Sequence, residues 1–248
     1  MINTLVVLYS VLFGNFGVAI AVFTMLVRLV MLPLTLRQLR SSKAMSDLQP
    51  KIKELQKKYA KSKDKLSQEM MKAYKEAGVN PLGCLGPMVI QLPIWIALYQ
   101  SVVGVLATTP EQLLNLSQRL YSWPIVYQAI PLKEDFLWLN LANPDPYYVL
   151  PVLVGATMWV QQKMVSGPGM DPRQQQMNSM MLWMMPVMFA FFTLQFPSGL
   201  AIYWVVSNVV GIVVQYFVTG WGHLLPRAPV AVPSKTETPA GGSRKRLT

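Results

Sequence analysis

Five blocks of nearly unbroken apolar residues constrain this 248-residue chain more than anything else in it. Gly17 to Leu36, Pro87 to Leu106, Tyr147 to Gln162, Met180 to Leu194 and Leu200 to Val218 each approach the ~20 residues that a helix needs to cross a bilayer. A soluble core interleaves apolar and polar positions at a helical or strand period, and these blocks do not. The third and fourth are short, so they are expected to tilt little, to thin the bilayer locally or to lean on neighbouring helices. With 52% hydrophobic and only 13% charged residues, the chain is too apolar for a soluble domain of its length. The fold class expected is therefore an all-α integral membrane protein with five transmembrane helices.

The charges fix an orientation. Residues 37 to 80 hold twelve Lys/Arg against five Asp/Glu, the tail after the fifth block five against one, and the loop between blocks three and four two against one. The segment from Thr108 to Pro146 reverses the balance, with Arg119 and Lys133 against Glu111, Glu134, Asp135 and Asp145. Basic loops stay in the cytoplasm. The N-terminus is therefore expected outside and the tail inside, which an odd number of spans satisfies. The N-terminus lacks the basic region and small-residue cleavage site of a signal peptide, so Met1 is expected to begin the mature chain or to follow a short trim.

Between the spans the chain divides by composition. Residues 1–13 read as an amphipathic helix at the outer interface, and Gly14-Asn15-Phe16-Gly17 turns the chain into a first span over 14–36. Within 37–82, Met45, Leu48, Ile52, Leu55 and Tyr59, then Leu66, Met70, Ala73 and Ala77, form two apolar seams at helical spacing. A cytoplasmic antiparallel helical hairpin follows, with Pro50 in the first turn of its first helix and Gly78 and Asn80-Pro81 ending its second. Residues 83–220 hold spans two to five. Their outer loop, 107–146, carries Trp123-Pro124, Trp138 and Asn143-Pro144-Asp145-Pro146 and reads as a surface cap. Only Phe196-Pro197-Ser198-Gly199 joins spans four and five, so these form a tight pair. Residues 221–248 carry four prolines, Gly241-Gly242 and Arg244-Lys245-Arg246 and read as a disordered basic tail.

Arg28 is the strongest single signal. At ~1.5 Å per residue from Gly17 it lies roughly 17 Å deep, near the middle of a ~30 Å hydrocarbon layer. An arginine there costs about 2.5 to 3.5 kcal/mol, and the Leu, Ile, Val and Phe residues of the span return roughly 5, so the helix still inserts. None of the five blocks contains Asp or Glu. The guanidinium must then face water or polar neighbours such as Gln91, Gln100, Ser207, Asn208 or Gln215. An arginine that snorkels to an interface is the alternative. A fixed cation in a wet cavity with low-dielectric walls would attract an acidic segment.

Weaker signals surround it. Gln91, Gln100, Gln195 and Gln215 suit either a cavity lining or helix packing. The cluster Met177, Met180, Met181, Met184, Met185 and Met188 suits either an adaptable apolar surface or a core. Catalysis finds no support: His223 lies beyond the fifth block, Ser198 has no nearby base, and the spans hold no paired carboxylates or His-Glu metal motif. Cys84 is the only cysteine, which excludes an internal disulfide and a cysteine-built metal site. No cofactor, metal or small-molecule substrate is expected. The basic tail suits anionic headgroups or ribosomal RNA.

Several motifs, in order and spacing, resemble the YidC insertases of bacteria and their mitochondrial and chloroplast relatives. They are Leu26-Val27-Arg28-Leu29 running into Leu32-Pro33-Leu34, Leu48-Gln49-Pro50-Lys51-Ile52, and Asn80-Pro81-Leu82-Gly83-Cys84 before Gln91-Leu92-Pro93-Ile94-Trp95. Asp145-Pro146-Tyr147-Tyr148-Val149-Leu150-Pro151, Gln161-Gln162-Lys163-Met164, and Phe196-Pro197-Ser198-Gly199-Leu200 with Tyr203-Trp204 complete the set. The resemblance implies five spans around a hydrophilic groove open to cytoplasm and lipid, with Arg28 as its arginine. It implies Gln91, Leu92, Trp95, Tyr203 and Trp204 in contact with the incoming helix. It further implies a bacterial plasma membrane protein, not an enzyme, that inserts and chaperones nascent membrane proteins beside the ribosome, with a Sec translocon as a further partner. The chain lacks the large extracytoplasmic domain of Gram-negative members and the lipoprotein signal cysteine of many short Gram-positive ones. Two other classes stay open from the residues alone: a small ion or solute transporter using Arg28, and a membrane scaffold acting through the cytoplasmic hairpin.

Overall fold

A computed structural model describes residues 1–60, 62–78, 86–106, 132–165, 172–222 and 224. Eight helices dominate these residues: α1 (Ile2–Val11), α2 (Phe16–Asp47), α3 (Gln49–Lys58), α4 (Lys63–Glu76), α5 (Gly86–Val105), α6 (Val149–Val165), α7 (Pro172–Thr193) and α8 (Ser198–Thr219). The stretch before α6 adds a two-stranded antiparallel ribbon, β1 (Asp135–Phe136) with β2 (Leu139–Asn140), which pairs Asp135 with Asn140. The expected chain end for the hairpin at Asn80-Pro81, the outer loop over 107–131 and the tail beyond 224 lie outside the described residues.

Helix α8 is the axis. It packs along α2 and α6 and touches α5, while α7 packs mainly on α6 and α1 on α2 and α5. Its sequence explains that place. Every residue from Ser198 to Trp204 is buried, and burial then recurs at Ser207, Gly211 and Gln215. Four-residue spacing keeps these on one stripe, and the small residues among them let neighbouring backbones approach, which is what holds helices together where lipid replaces water. A Cβ on Gly199 would press on Ile20 of α2, Val102 of α5 and the Leu141 carbonyl at once. Three elements therefore converge on a glycine.

Helix α2 begins where Asn15 accepts a hydrogen bond from the Val18 N–H at 3.1 Å, a cap worth about 1 kcal/mol. It does not stop at Leu36, where the apolar block ends. It runs on to Asp47, because Thr35 to Asp47 contains no helix breaker and carries a second, amphipathic pattern. Pro50 then sits in the first turn of α3 as its missing N–H requires. Helices α3 and α4 pack on each other, with Ile52 and Ala73 buried in the seam and Lys51 paired to Glu76 at 3.1 Å. Gly78 at φ +65° follows α4. Helices α6 and α7 also exceed their apolar blocks. Val165 and Pro172 set their outer limits, because polar residues such as Lys163 and Gln174 continue a helix that hydropathy alone would end.

Two helices, α2 and α8, are long and apolar enough to cross a membrane by length and composition, and the apolar stretches Gln91–Val105 and Ser179–Thr193 are shorter. Large apolar side chains lie exposed on every one of the five candidate spans. Leu29 and Val30 on α2, Leu92 and Ile96 on α5, Val152 on α6, Trp183 and Val187 on α7, and Val213 and Phe217 on α8 are examples. An apolar surface this extensive is incompatible with water and matches a hydrocarbon solvent.

At one end of the bundle the N-termini of α2, α6 and α8 are tied by the loop over 132–148. The Asp145 carboxylate accepts from the Tyr147 N–H at 3.0 Å and the Leu150 N–H at 2.7 Å, capping α6. The Ser198 N–H and hydroxyl both donate to the Asn143 carbonyl, the Phe136 ring lies on Gly17, and the Lys133 N–H donates to the Tyr9 hydroxyl at 3.1 Å. Residues 2–11 are helical as expected, yet Leu5, Val6 and Tyr9 are fully packed, so α1 is part of the core as well as of the surface. These contacts gather at the α1 end, where α2 begins; α3 and α4 follow the other end of α2.

Candidate functional site

Arg28 lies on α2 opposite the buried stripe of α8. Its side chain is half-buried, and its Nε donates to the Ser207 hydroxyl at 2.8 Å while Nη2 donates to the same oxygen. Of the five polar neighbours that the sequence offers, the structure selects Ser207. The reason is local: Ser207 lies on the buried stripe of α8, which packs along α2, and a two-atom side chain leaves room for a guanidinium. A guanidinium has five N–H donors and no acceptor, and one hydroxyl takes two of them. The remaining donors have no acceptor among the described residues. No carboxylate pairs with Arg28 there either; the only ion pair among them is Lys51–Glu76.

The other candidates occupy separate places. Gln91 donates its amide N–H to the Tyr203 hydroxyl, joining α5 to α8 one turn from Ser207. Asn208 donates to the Thr157 hydroxyl at 3.1 Å, a bond between α8 and α6. Gln215 lines a cavity of about 30 Å³ with Ser42, Lys43 and Asp47 of α2 and Thr219 of α8. Gln100 and Gln195 are exposed. Leu92 is half-exposed on the outer surface of α5.

Trp95 and Trp204 do come together. Their rings lie nearly parallel, at 14°, with centroids 6.2 Å apart. Tyr99 also stacks on Trp95, Phe196 meets Trp95, Tyr99 and Trp204 edge-on, and Phe189 of α7 meets Trp204 at 5.5 Å. Such pairs add about 0.5–1.5 kcal/mol each beyond the area they bury. The Trp95 indole N–H has no partner among the described residues. Gln91, Trp95 and Tyr99 share a face of α5 at four-residue spacing, which is the signal that would have placed Tyr99 in this cluster from sequence. Phe189 and Phe196 carry no such signal: α7 packs along α6 and not, as the short link suggested, along α8, so these rings meet Trp204 only near the link between the two helices.

Two further contacts were not legible. The Gln161 side chain occupies the space that a Cβ on Gly211 would need, and among the described residues the Gln162 amide reaches only the Met185 sulfur, at 3.9 Å, and its oxygen has no partner. Met180, Met181, Met184 and Met188 are exposed on α7, so the methionine cluster is mainly surface and not core. Among the described residues no group of His, Cys, Asp and Glu is placed to hold a metal.

The chain matches, over residues 7–223, the family model described as the 60Kd inner membrane protein. It is 37% identical to the membrane protein insertase YidC 2 of Bacillus anthracis, over 98% of this chain and 83% of that one. It is 38% identical to the membrane protein insertase YidC of Fusobacterium nucleatum, over 83% of this chain and 86% of that one. It also resembles the crystal structure of an active YidC insertase with its first transmembrane domain resolved. The TM-score is 0.57 at 28% identity, covering 85% of this chain and 43% of that one, so the chain spans less than half of the solved protein. With a family model matched across most of its length and relatives of this identity, the chain belongs to the 60Kd inner membrane protein family, that of the YidC membrane protein insertases.

Proposed function

We propose that this protein inserts and folds nascent transmembrane segments, and that it does so without chemistry, through a groove in which Arg28 offers an uncompensated positive charge. In this reading α2, α5, α6, α7 and α8 are the five spans, with the α1 end outside and the α3–α4 hairpin and basic tail in the cytoplasm. The observation that carries it is Arg28 itself, half-buried against Ser207 with N–H groups to spare and no carboxylate near it among the described residues. A cation so placed is expensive in lipid unless water or an anion reaches it. An acidic or polar segment of the client supplies that anion and crosses a shortened hydrophobic distance. The client's apolar span meanwhile slides past Leu92, Trp95, Tyr203 and Trp204 into the bilayer. The hairpin and tail, rich in lysine and arginine, hold the ribosome nearby, and a Sec translocon is a further partner.

The test is insertion, into vesicles holding the purified protein, of a single-span client with an acidic N-terminal tail. Arg28→Ala is expected to cut insertion about tenfold or more, from a loss of about 1.4 kcal/mol or more of attraction, and Arg28→Lys to retain part of it. Equal insertion by the alanine variant would remove the charge from the mechanism.

A further inference from the structure

All three non-glycine residues with a left-handed backbone among the described residues are large and apolar, and all three lie in turns at the α1 end. Phe13 (φ +57°) is in the turn between α1 and α2, Leu137 (φ +57°) in the turn of the β ribbon, and Tyr148 (φ +59°) just before α6. This backbone region suits glycine, asparagine or aspartate and is unfavourable for bulky side chains. None of the three is compensated by packing within the chain: Phe13 is fully exposed, Leu137 75% and Tyr148 63% exposed. An unfavourable backbone and an unburied apolar side chain thus coincide three times at one end of the molecule. Strain that persists in this way points to a function for the side chain it projects.

The surroundings name the occupant. Tyr147 and Trp138, also exposed, stand beside two of these residues, and Tyr and Trp are the side chains that favour the boundary between headgroups and acyl chains. Tyr147 and Tyr148 lead directly into the exposed apolar face of α6 at Val149, Val152 and Leu153, so the surface is continuous with the one facing lipid. The Phe136 ring on Gly17 sets the ribbon turn against the start of α2, four residues along the chain from Phe13. We infer that Phe13, Leu137 and Tyr148 form a wedge that inserts into the boundary zone of the lipid leaflet at the α1 end and sets the depth at which the bundle sits. The inference rests on the reading that the long helices span the bilayer.

The experiment uses the full chain in phospholipid vesicles with Cys84→Ser as background, carrying one environment-sensitive fluorophore on a cysteine at position 13, 137 or 148. Labels at Asp135, exposed on the same ribbon, and at Val209, midway along α8, serve as controls. Phospholipids with a doxyl quencher near the headgroup end of the acyl chain should quench the three wedge labels at least about twofold more than the Asp135 label, as expected for side chains at the interface. Quenching equal to that at Asp135 would overturn the wedge, and protection of the labels by self-association or by an added protein would assign the surface to a protein partner instead. A Val209 label that deep-chain quenchers do not reach would overturn the spanning reading itself, so the two failures are distinguishable. Asparagine tolerates the left-handed backbone, so the triple variant Phe13→Asn, Leu137→Asn, Tyr148→Asn keeps the turns. A label at Trp138 should lose at least about half of its shallow quenching in that variant, and unchanged quenching would show that the three side chains do not hold this end in lipid.

Discussion

Replacing Ser207 with aspartate gives Arg28 an anion of its own. The serine hydroxyl now accepts from the guanidinium at 2.8 Å, so a carboxylate on the same carbon framework would sit about 4 Å or less from the positive charge. At an effective dielectric constant of ~20 that attraction is about 4 kcal/mol. The desolvation of the new carboxylate and the exposure of half the arginine reduce the net to about 1–3 kcal/mol. A client's acidic tail would have to displace this internal partner, and insertion should fall by about tenfold to a hundredfold, since each 1.4 kcal/mol is a factor of ten. The assay is insertion of single-span clients with acidic and with neutral tails, alongside thermal melting of each variant in detergent. Ser207→Asp should melt at or above the parent and fail selectively on acidic clients. Ser207→Asn, which offers an acceptor without charge, should keep most of the activity. Parent-like insertion of acidic clients by a well-folded Ser207→Asp protein would refute the idea that the free charge of Arg28 draws the client.

Gly211→Leu should drive Gln161 off α8 and part α6 from α8, costing about 1–3 kcal/mol as overpacking does, with a lower melting temperature as the readout and Gly211→Ala intermediate. Asp145→Ala removes a buried carboxylate that caps α6 with two hydrogen bonds and should destabilise by about 1–2 kcal/mol, measured the same way. Burial on α4 of the hairpin pushes the Tyr74 phenol above its ordinary pKa. The hairpin's stability should therefore be complete below about pH 10 and decline as pH rises through the raised value; melting across that range should show the loss in the parent and not in Tyr74→Phe.

Much of this was readable because lipid imposes simple rules. A lone charge in an apolar block, Arg28, has few places to go. Helix ends were less legible. The blocks ended at Leu36 and began at Met180 because hydropathy falls there, while the helices run on through Asp47 and back to Pro172, since backbone hydrogen bonding does not depend on apolarity. Partners were the least legible. Sequence left Arg28 five polar neighbours, and only the close approach of α2 to the small residues of α8 chose Ser207. The same holds for Gln91 with Tyr203, 112 residues apart, and for Phe189 and Phe196 around Trp204, which meet only through the way the helices pack. The strained Phe13, Leu137 and Tyr148 could not be read at all, because nothing in local sequence announces a left-handed backbone at a bulky residue.

The central claim is that the positive charge on α2 is reached by water from the cytoplasm and covered by the client in transit. An Arg28→Cys variant in a Cys84→Ser background, in inverted membrane vesicles, tests it with a charged, membrane-impermeant thiol reagent. Labelling from the cytoplasmic face, slowed when a ribosome-bound client with an acidic tail is stalled on the protein, is the expected result. A cysteine at this position that stays unmodified from that face, or reacts equally with and without the stalled client, would contradict it.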